Sequence, residues 1–206
     1  MGLPSSGLHS NGFSLARQAV AASGLALGDP LPGGEGGVTV GEALLEPTAI
    51  YVRDLLRLAA LEGGGAVKGA VHVTGGGFQE NIPRVLPDGL GATVARGAWE
   101  VSSGLCCGFC LGPLGGAWRP RGWGSGAWLT PNACGEPCAR PPQVPAVFRW
   151  LQAAGGVGEL EMFRTFNMGV GMILVVAPEV APAVLAARPG AFELGTVAPG
   201  EGVTFA

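Results

Sequence analysis

The sequence predicts an α+β fold arranged as one layered domain, and three observations carry that expectation. Tyr51, Leu55, Leu58 and Leu61 recur at helical spacing opposite Arg53, Asp54 and Arg57. Val67, Gly69, Val71 and Val73 alternate with Lys68, Ala70 and His72, the period-two pattern of a strand with one buried face. Residues 172–176 are an unbroken apolar run, as in a strand covered on both faces. Helices and strands thus interleave within 206 residues, a length that suits one large domain or two small ones.

From the amino end, the turn-rich residues 2–9 lead to Ser10 or Asn11, either of which can cap a helix. That helix runs through Phe13, Ala16, Ala19 and Val20 and stops near Gly24. Residues 29–37 are a Pro/Gly loop, and 40–45 a short amphipathic piece before Pro47 interrupts it. Thr48 is the expected cap of the helix carrying the Tyr51 stripe, which glycines 63–65 end. The alternating strand follows and runs into Thr74-Gly75-Gly76-Gly77, then a short helix through Glu80, Asn81 and Ile82, and a strand at 92–95. Val147, Trp150 and Leu151 mark a further helix, residues 159–166 another, and the apolar strand comes next. Pro178 opens a helix reaching about Ala187, and 192–197 and 202–205 read as closing strands.

Composition narrows the function classes. Thirty-eight glycines and 17 prolines approach the range of low-complexity chains, but 48% hydrophobic and 13% charged residues favour folding. Twelve basic against 15 acidic residues give −3, so there is no electrostatic footprint for nucleic acid or an anionic membrane. The longest apolar stretch, 170–177, is short of the ~20 residues a membrane helix needs, and the first residues lack a signal peptide's basic and apolar regions. A soluble, cytosolic protein is expected.

Three loops can carry chemistry. Residues 2–12 end at a helix start, where unpaired N–H groups point outward, and Gly7 and Gly12 let a ligand approach the backbone. Ser5, Ser6, Ser10 and Asn11 add polar groups, and His9 at the centre can donate to a phosphate or move a proton. The same residues serve equally as a plain structural cap. Thr74, Gly75, Gly76 and Gly77 can form a nest of N–H donors for an anion, or simply a tight turn. Glu80 and Asn81 can bond a ligand or cap the short helix. In Phe166-Asn167-Met168-Gly169-Val170-Gly171, Asn167 can face a cleft, although close packing is the favoured reading of this run.

Residues 101–143 are compositionally foreign. They hold all five cysteines, Cys106, Cys107, Cys110, Cys134 and Cys138, and three of the five tryptophans. The spacing of Cys107, Cys110, Cys134 and Cys138 is that of a zinc ribbon, but no strand alternation surrounds either pair, so no metal site is expected.

Four runs, taken in order, resemble aminoimidazole ribonucleotide synthetase, the phosphoribosylformylglycinamidine cyclo-ligase family. They are Gly-Leu-Pro-Ser-Ser-Gly-Leu-His-Ser-Asn-Gly-Phe-Ser-Leu at 2–15, His-Val-Thr-Gly-Gly-Gly-Phe-Gln-Glu-Asn-Ile-Pro-Arg-Val-Leu-Pro at 72–87, Pro-Ala-Val-Phe-Arg-Trp-Leu-Gln at 145–152 and Phe-Asn-Met-Gly-Val-Gly-Met at 166–172. The resemblance covers the family's C-terminal domain and implies a mixed sheet flanked by helices. Its animal form is a domain of a trifunctional purine-synthesis protein. The N-terminal domain, which in this family supplies most of the ATP site and the core of the homodimer, is a missing partner, so this part by itself is expected to be inactive.

What the resemblance implies chemically is ring closure of formylglycinamidine ribonucleotide to aminoimidazole ribonucleotide, with ATP and Mg2+. ATP phosphorylates the formyl oxygen, the ring nitrogen attacks, and phosphate leaves. Such chemistry needs preorganised donors more than a covalent nucleophile, which suits glycine-rich loops. His9 matches the motif histidine and is the expected catalytic residue. The other expected substrate or phosphate contacts are Ser5, Ser6, Gly7, Ser10, Asn11, Gly12, Thr74, Gly75, Gly76, Gly77, Glu80, Asn81 and Asn167. The alternatives are a non-catalytic module that binds nucleotide or a partner, and another ATP-using relative such as formylglycinamidine ribonucleotide amidotransferase, selenophosphate synthetase or thiamine-phosphate kinase.

The resemblance also bears on the foreign segment, because in the family Glu100 would be followed almost directly by Val144. Val-Ser at its start can be encoded by GTGAGC, a splice-donor sequence, and Pro-Pro-Gln can end in an acceptor's CAG. Residues 101–143 are therefore read as a retained intron translated in frame, expected to be solvated and disordered.

Overall fold

The structure is a computed structural model and describes residues 1–61, 64–96 and 144–206. The suspected insertion, the zinc-ribbon spacing and the glycine at 63 lie outside the described residues. Seven α-helices and six β-strands are described. They are β1 (Gly2–Pro4), α1 (Phe13–Ser23), α2 (Val40–Leu44), α3 (Val52–Ala59), β2 (Val67–His72), α4 (Gly77–Asn81), β3 (Leu90–Val94), α5 (Ala146–Gly155), α6 (Glu159–Thr165), β4 (Val170–Val176), α7 (Ala181–Ala187), β5 (Gly195–Pro199) and β6 (Val203–Phe205). The α+β class holds, with strands divided between two three-stranded sheets rather than gathered in one. The first, β1-β4-β2, is antiparallel throughout, and the second, β5-β3-β6, is the mixed one, with β3 antiparallel to β5 and parallel to β6.

The apolar run of β4 lies at the centre of the first sheet, and both of its faces are covered. Ile173 enters a core with Leu8, Val71, Phe78, Phe148 and Phe166, beneath α1, α5 and α6. Met172 and Leu174 enter a second core with Leu3, Tyr51, Leu58 and Val184, beneath α3 and α7. Phe78, Phe148 and Phe166 are fully buried, each contributing about 1.5–3 kcal/mol of transfer free energy. The Tyr51 stripe holds as read: Tyr51 and Leu58 are buried while Arg53 and Arg57 face solvent. An ion pair between Arg188 Nε and Asp54 Oδ2 (2.7 Å) joins the end of α7 to α3. No helix among the described residues is long and apolar enough to cross a membrane.

Four local expectations are corrected. Residues 2–4 form a strand and not a turn, because they pair with β4, Gly2 opposite Ile173 and Leu3 opposite Met172. Helix α1 is not capped by Ser10 or Asn11. Gly12 stands at its start with φ 73°, and no side chain caps it, because Asn11 is engaged elsewhere. Thr48 caps nothing either: α3 begins at Val52, since residues 47–50 are drawn onto the first loop by Pro47 and Ala49. The short helix before Pro83 starts earlier than expected, at Gly77.

Candidate functional site

The three glycine-rich loops, far apart in sequence, meet at one end of the first sheet. Loop 5–12 follows β1, loop 74–77 follows β2, and turn 167–169 precedes β4, so the sheet order β1-β4-β2 brings them side by side. Their contacts are built largely by three asparagines.

Asn167, 1% exposed, joins the first loop to the turn. Its Nδ2 donates to the Gly7 carbonyl (2.8 Å), and its Oδ1 accepts from Ser5 Oγ (2.8 Å) and from the Gly169 N–H (2.9 Å). The Ser5 N–H returns to the Gly169 carbonyl at 2.8 Å. Met168 and Gly169 follow in left-handed conformations, φ 49° and 95°. Asn167 is thus enclosed and turned away from solvent. Gly171, next on β4, is glycine because a Cβ there would collide with the Tyr51 hydroxyl and press on the His9 ring.

Asn11 joins the first loop to the second. Its Nδ2 donates to the His9 carbonyl (2.7 Å), and its Oδ1 accepts from the Gly75 N–H (3.0 Å). Asn81, 4% exposed, ties the second loop to itself, donating through Nδ2 to the carbonyls of Gly77 (2.7 Å), Gly75 (3.2 Å) and Thr74 (3.4 Å). Its Oδ1 accepts from Thr74 Oγ1 (3.2 Å) and an Arg84 guanidinium nitrogen (3.1 Å). The Gly77 N–H turns back to the Thr74 carbonyl at 3.0 Å, and Gly76 and Gly77 take φ 90° and 57°. With the amides of Gly75 and Gly77 both engaged inside the protein, this loop is a tight turn, not an open anion cradle. Glu80 stands exposed, 3.9 Å from Arg84 in a solvated pair that contributes little stability.

His9 is nearly enclosed at 3% exposure and holds φ 52°, unusual for a residue with a side chain. Its Nε2 accepts the backbone N–H groups of Ser6 (3.0 Å) and Ala49 (3.3 Å), so the neutral ring carries its proton on Nδ1. Ser6 Oγ lies 3.0 Å from the same nitrogen and donates to the Pro47 carbonyl at 2.6 Å. Burial first, and then nearby His72, push the His9 pKa down to about 4. The imidazole is therefore uncharged near neutrality; its unprotonated Nε2 is occupied by the protein's own backbone N–H groups, while the buried Nδ1 has no hydrogen-bond partner among the described residues. This arrangement makes His9 a clasp between residues 5–10 and 47–50.

Tyr51 and His72 complete a ring cluster with His9, their centroids 6.1–6.3 Å apart. The Tyr51 hydroxyl donates to the Pro4 carbonyl at 2.7 Å, and burial pushes its pKa up to about 12. Neither was singled out from sequence as a site residue, because the stripe marked Tyr51 as core and alternation marked His72 as a strand's outer face. Arg84 was also passed over, although its i,i+3 spacing from Asn81 was a usable signal.

Around these anchors, Ser6, Ser10, Gly75, Glu80 and Arg84 remain exposed at the loop junction. Helix α1 follows the first of these loops with no capping side chain, so its first-turn amides carry the positive end of its dipole directly after Ser10 and Asn11 in the chain. Hydroxyls, helix amides and a guanidinium suit an anionic, phosphate-bearing ligand. Among the described residues no group of three His, Cys, Asp or Glu side chains can hold a metal ion.

Comparison with known proteins gives a family match to residues 1–106 and 136–206, described as AIR synthase related protein, C-terminal domain. The chain is 45% identical, over 208 aligned residues, to a phosphoribosylformylglycinamidine cyclo-ligase, chloroplastic/mitochondrial, of Vigna unguiculata. It is 42% identical, over 209, to the chloroplastic protein of the same name from Arabidopsis thaliana. Each alignment covers 100% of this chain and 41% of the relative, so the chain spans about two-fifths of the length of these curated relatives.

Proposed function

We propose that this chain, which belongs to the family of AIR synthase related C-terminal domains, works as the C-terminal part of an ATP-dependent cyclo-ligase of purine biosynthesis. The reaction is closure of formylglycinamidine ribonucleotide to aminoimidazole ribonucleotide. The observation that carries this reading is the convergence of the three motif loops through Asn167, Asn11 and Asn81, with Ser10 and Arg84 exposed on those loops and the start of α1 without a capping side chain. The two plant relatives, both named as the cyclo-ligase, support it.

In this reading Ser10, the first-turn amides of α1 and Arg84 hold phosphate oxygens, and Asn11, Thr74 and Asn81 keep the loops in register. His9 acts by position: it clasps the first loop without exchanging a proton. ATP, when bound, supplies the phosphoryl group that activates the formyl oxygen. Mg2+ accompanies ATP in this reading, and most of the nucleotide's contacts are proposed to come from the part of the enzyme beyond this chain. That part, the N-terminal cyclo-ligase domain, is the required partner, and the working enzyme is a homodimer. Purified with a separately expressed N-terminal cyclo-ligase domain, the chain is expected to form aminoimidazole ribonucleotide from formylglycinamidine ribonucleotide and ATP, and to lose this with His9→Ala. Nucleotide binding without any product would instead support a non-catalytic module.

Two parts of the proposal have their own tests. A cytosolic site competes with the organellar names of the plant relatives, and recovery of the protein only in plastids or mitochondria would overturn it. Residues 101–143 are proposed to be a translated intron, supported by a family match that stops at 106 and resumes at 136. Mature cytosolic message that reproducibly contains codons 101–143 would reject that.

A further inference from the structure

We infer that Tyr51 is a positioning residue of the candidate site: its hydroxyl fixes where the first loop leaves β1, and its ring holds His9 in place. The geometry starts from a break in the first sheet. Consecutive Leu3 and Pro4 lie opposite Met172 and Val170, so β4 carries one residue more than β1 there and Gly171 is passed over. Such a bulge disrupts the ladder and bends the strand. The Tyr51 hydroxyl lies against Gly171, in the space a Cβ there would need, and donates to the Pro4 carbonyl at 2.7 Å. One residue further on, the Ser5 N–H bonds the Gly169 carbonyl (2.8 Å) and loop 5–12 begins. The hydroxyl thus braces β1 at its last residue, where the ladder has shifted register.

The same side chain reaches all three motif loops. Its ring packs with His9 of the first (centroids 6.1 Å apart) and with His72, just ahead of the second (6.3 Å). Its hydroxyl meets Gly171, just after the turn 167–169. Tyr51 is itself held from the opposite layer. It is buried in the core with Leu3 and Leu58, and its carbonyl accepts from the Leu55 N–H (2.8 Å) at the start of α3. Asp54, in the first turn of that helix, is tied to α7 through Arg188. A side chain locked in this way has little freedom to follow a moving loop, so the loop takes its position from the ring. Burial, which pushes the hydroxyl pKa up to about 12, keeps it a donor across the neutral range. The consequence for activity rests on the cyclo-ligase reading above; the consequence for loop geometry does not.

The test uses two variants. Tyr51→Phe keeps the ring and removes the hydroxyl, while Leu58→Val, in the same core about 10 Å further along α3, controls for loosened packing. In the 206-residue chain, amide exchange at Ser6, whose N–H bonds His9 Nε2, is expected to quicken about tenfold in Tyr51→Phe and to stay within about twofold of wild type in Leu58→Val. With the N-terminal cyclo-ligase domain supplied, Tyr51→Phe should raise the KM for formylglycinamidine ribonucleotide about tenfold and leave that for ATP within about twofold. A mere loss of folded protein does not produce that split. Wild-type exchange at Ser6 in Tyr51→Phe would overturn the positioning role whether or not the reassembled enzyme turns over, as would equal acceleration by Leu58→Val. Faster exchange with both KM values unchanged would overturn the assignment of Tyr51 to the site. If the wild-type pair makes no product, the cyclo-ligase reading falls, and exchange at Ser6 alone decides the role of Tyr51.

Discussion

Two asparagine junctions hold the same first loop and do so in opposite surroundings. Asn167 is sealed between the loop and the turn before β4, with both ends of its amide consumed by Ser5, Gly7 and Gly169. Asn11 bridges to Gly75 at a partly open surface, beside exposed Ser10 and within the reach of solvent. A sealed amide has no capacity left for a ligand and can only position its neighbours. The open junction can exchange its bonds for others, so the proposed ligand contacts lie on that side.

The contrast predicts unequal costs. Asn167→Ala strips partners from two buried backbone groups and a hydroxyl, and should cost about 3–4 kcal/mol, read as a fall of roughly 6–16 °C in the thermal midpoint. His9 gives the next effect, and its sign is set by burial. Its folded pKa of about 4 lies below the usual 6.5, so between those values the unfolded chain binds a proton that the folded chain does not. Stability is therefore lost as pH falls from 6.5 to 4, by up to about 3 kcal/mol. In His9→Gln that slope should flatten, checked by denaturant titration at several pH values; an unchanged slope would remove His9 from the account. Asn11→Ala is the smallest, about 0.5–1 kcal/mol in stability. Yet it should lower cyclo-ligase activity tenfold or more once the N-terminal domain is supplied. Equal destabilisation by Asn11→Ala and Asn167→Ala would erase the distinction between the two junctions.

Much of the fold was legible because periodicity records which face is buried. The stripe of Tyr51 and Leu58, the alternation of residues 67–73 and the run at 172–176 each became the expected element. Capping was read poorly, because Ser10, Asn11 and Thr48 have good capping chemistry that distant partners withdrew or left unused. The strand at Gly2–Pro4 carried no local signal, since a short Gly-Leu-Pro becomes extended only when β4 offers a ladder. At the site, the three loops were visible as motifs, but the sequence left their side chains equally able to bind or to pack. Asn167 resolved to packing, while His9 resolved to a buried acceptor of backbone N–H groups.

Determined by sequence alone were the order and type of most elements, the family and the three loops, since each depends on residues close in the chain or on long specific runs. Only the tertiary structure decided that the strands form two sheets, that Tyr51 and His72 surround His9, and that one asparagine is sealed while another faces solvent. Those outcomes depend on pairs far apart in the chain, such as Ser5 with Asn167, 162 residues away. Which of many possible partners a polar group keeps is set by burial, which exists only once the chain has folded.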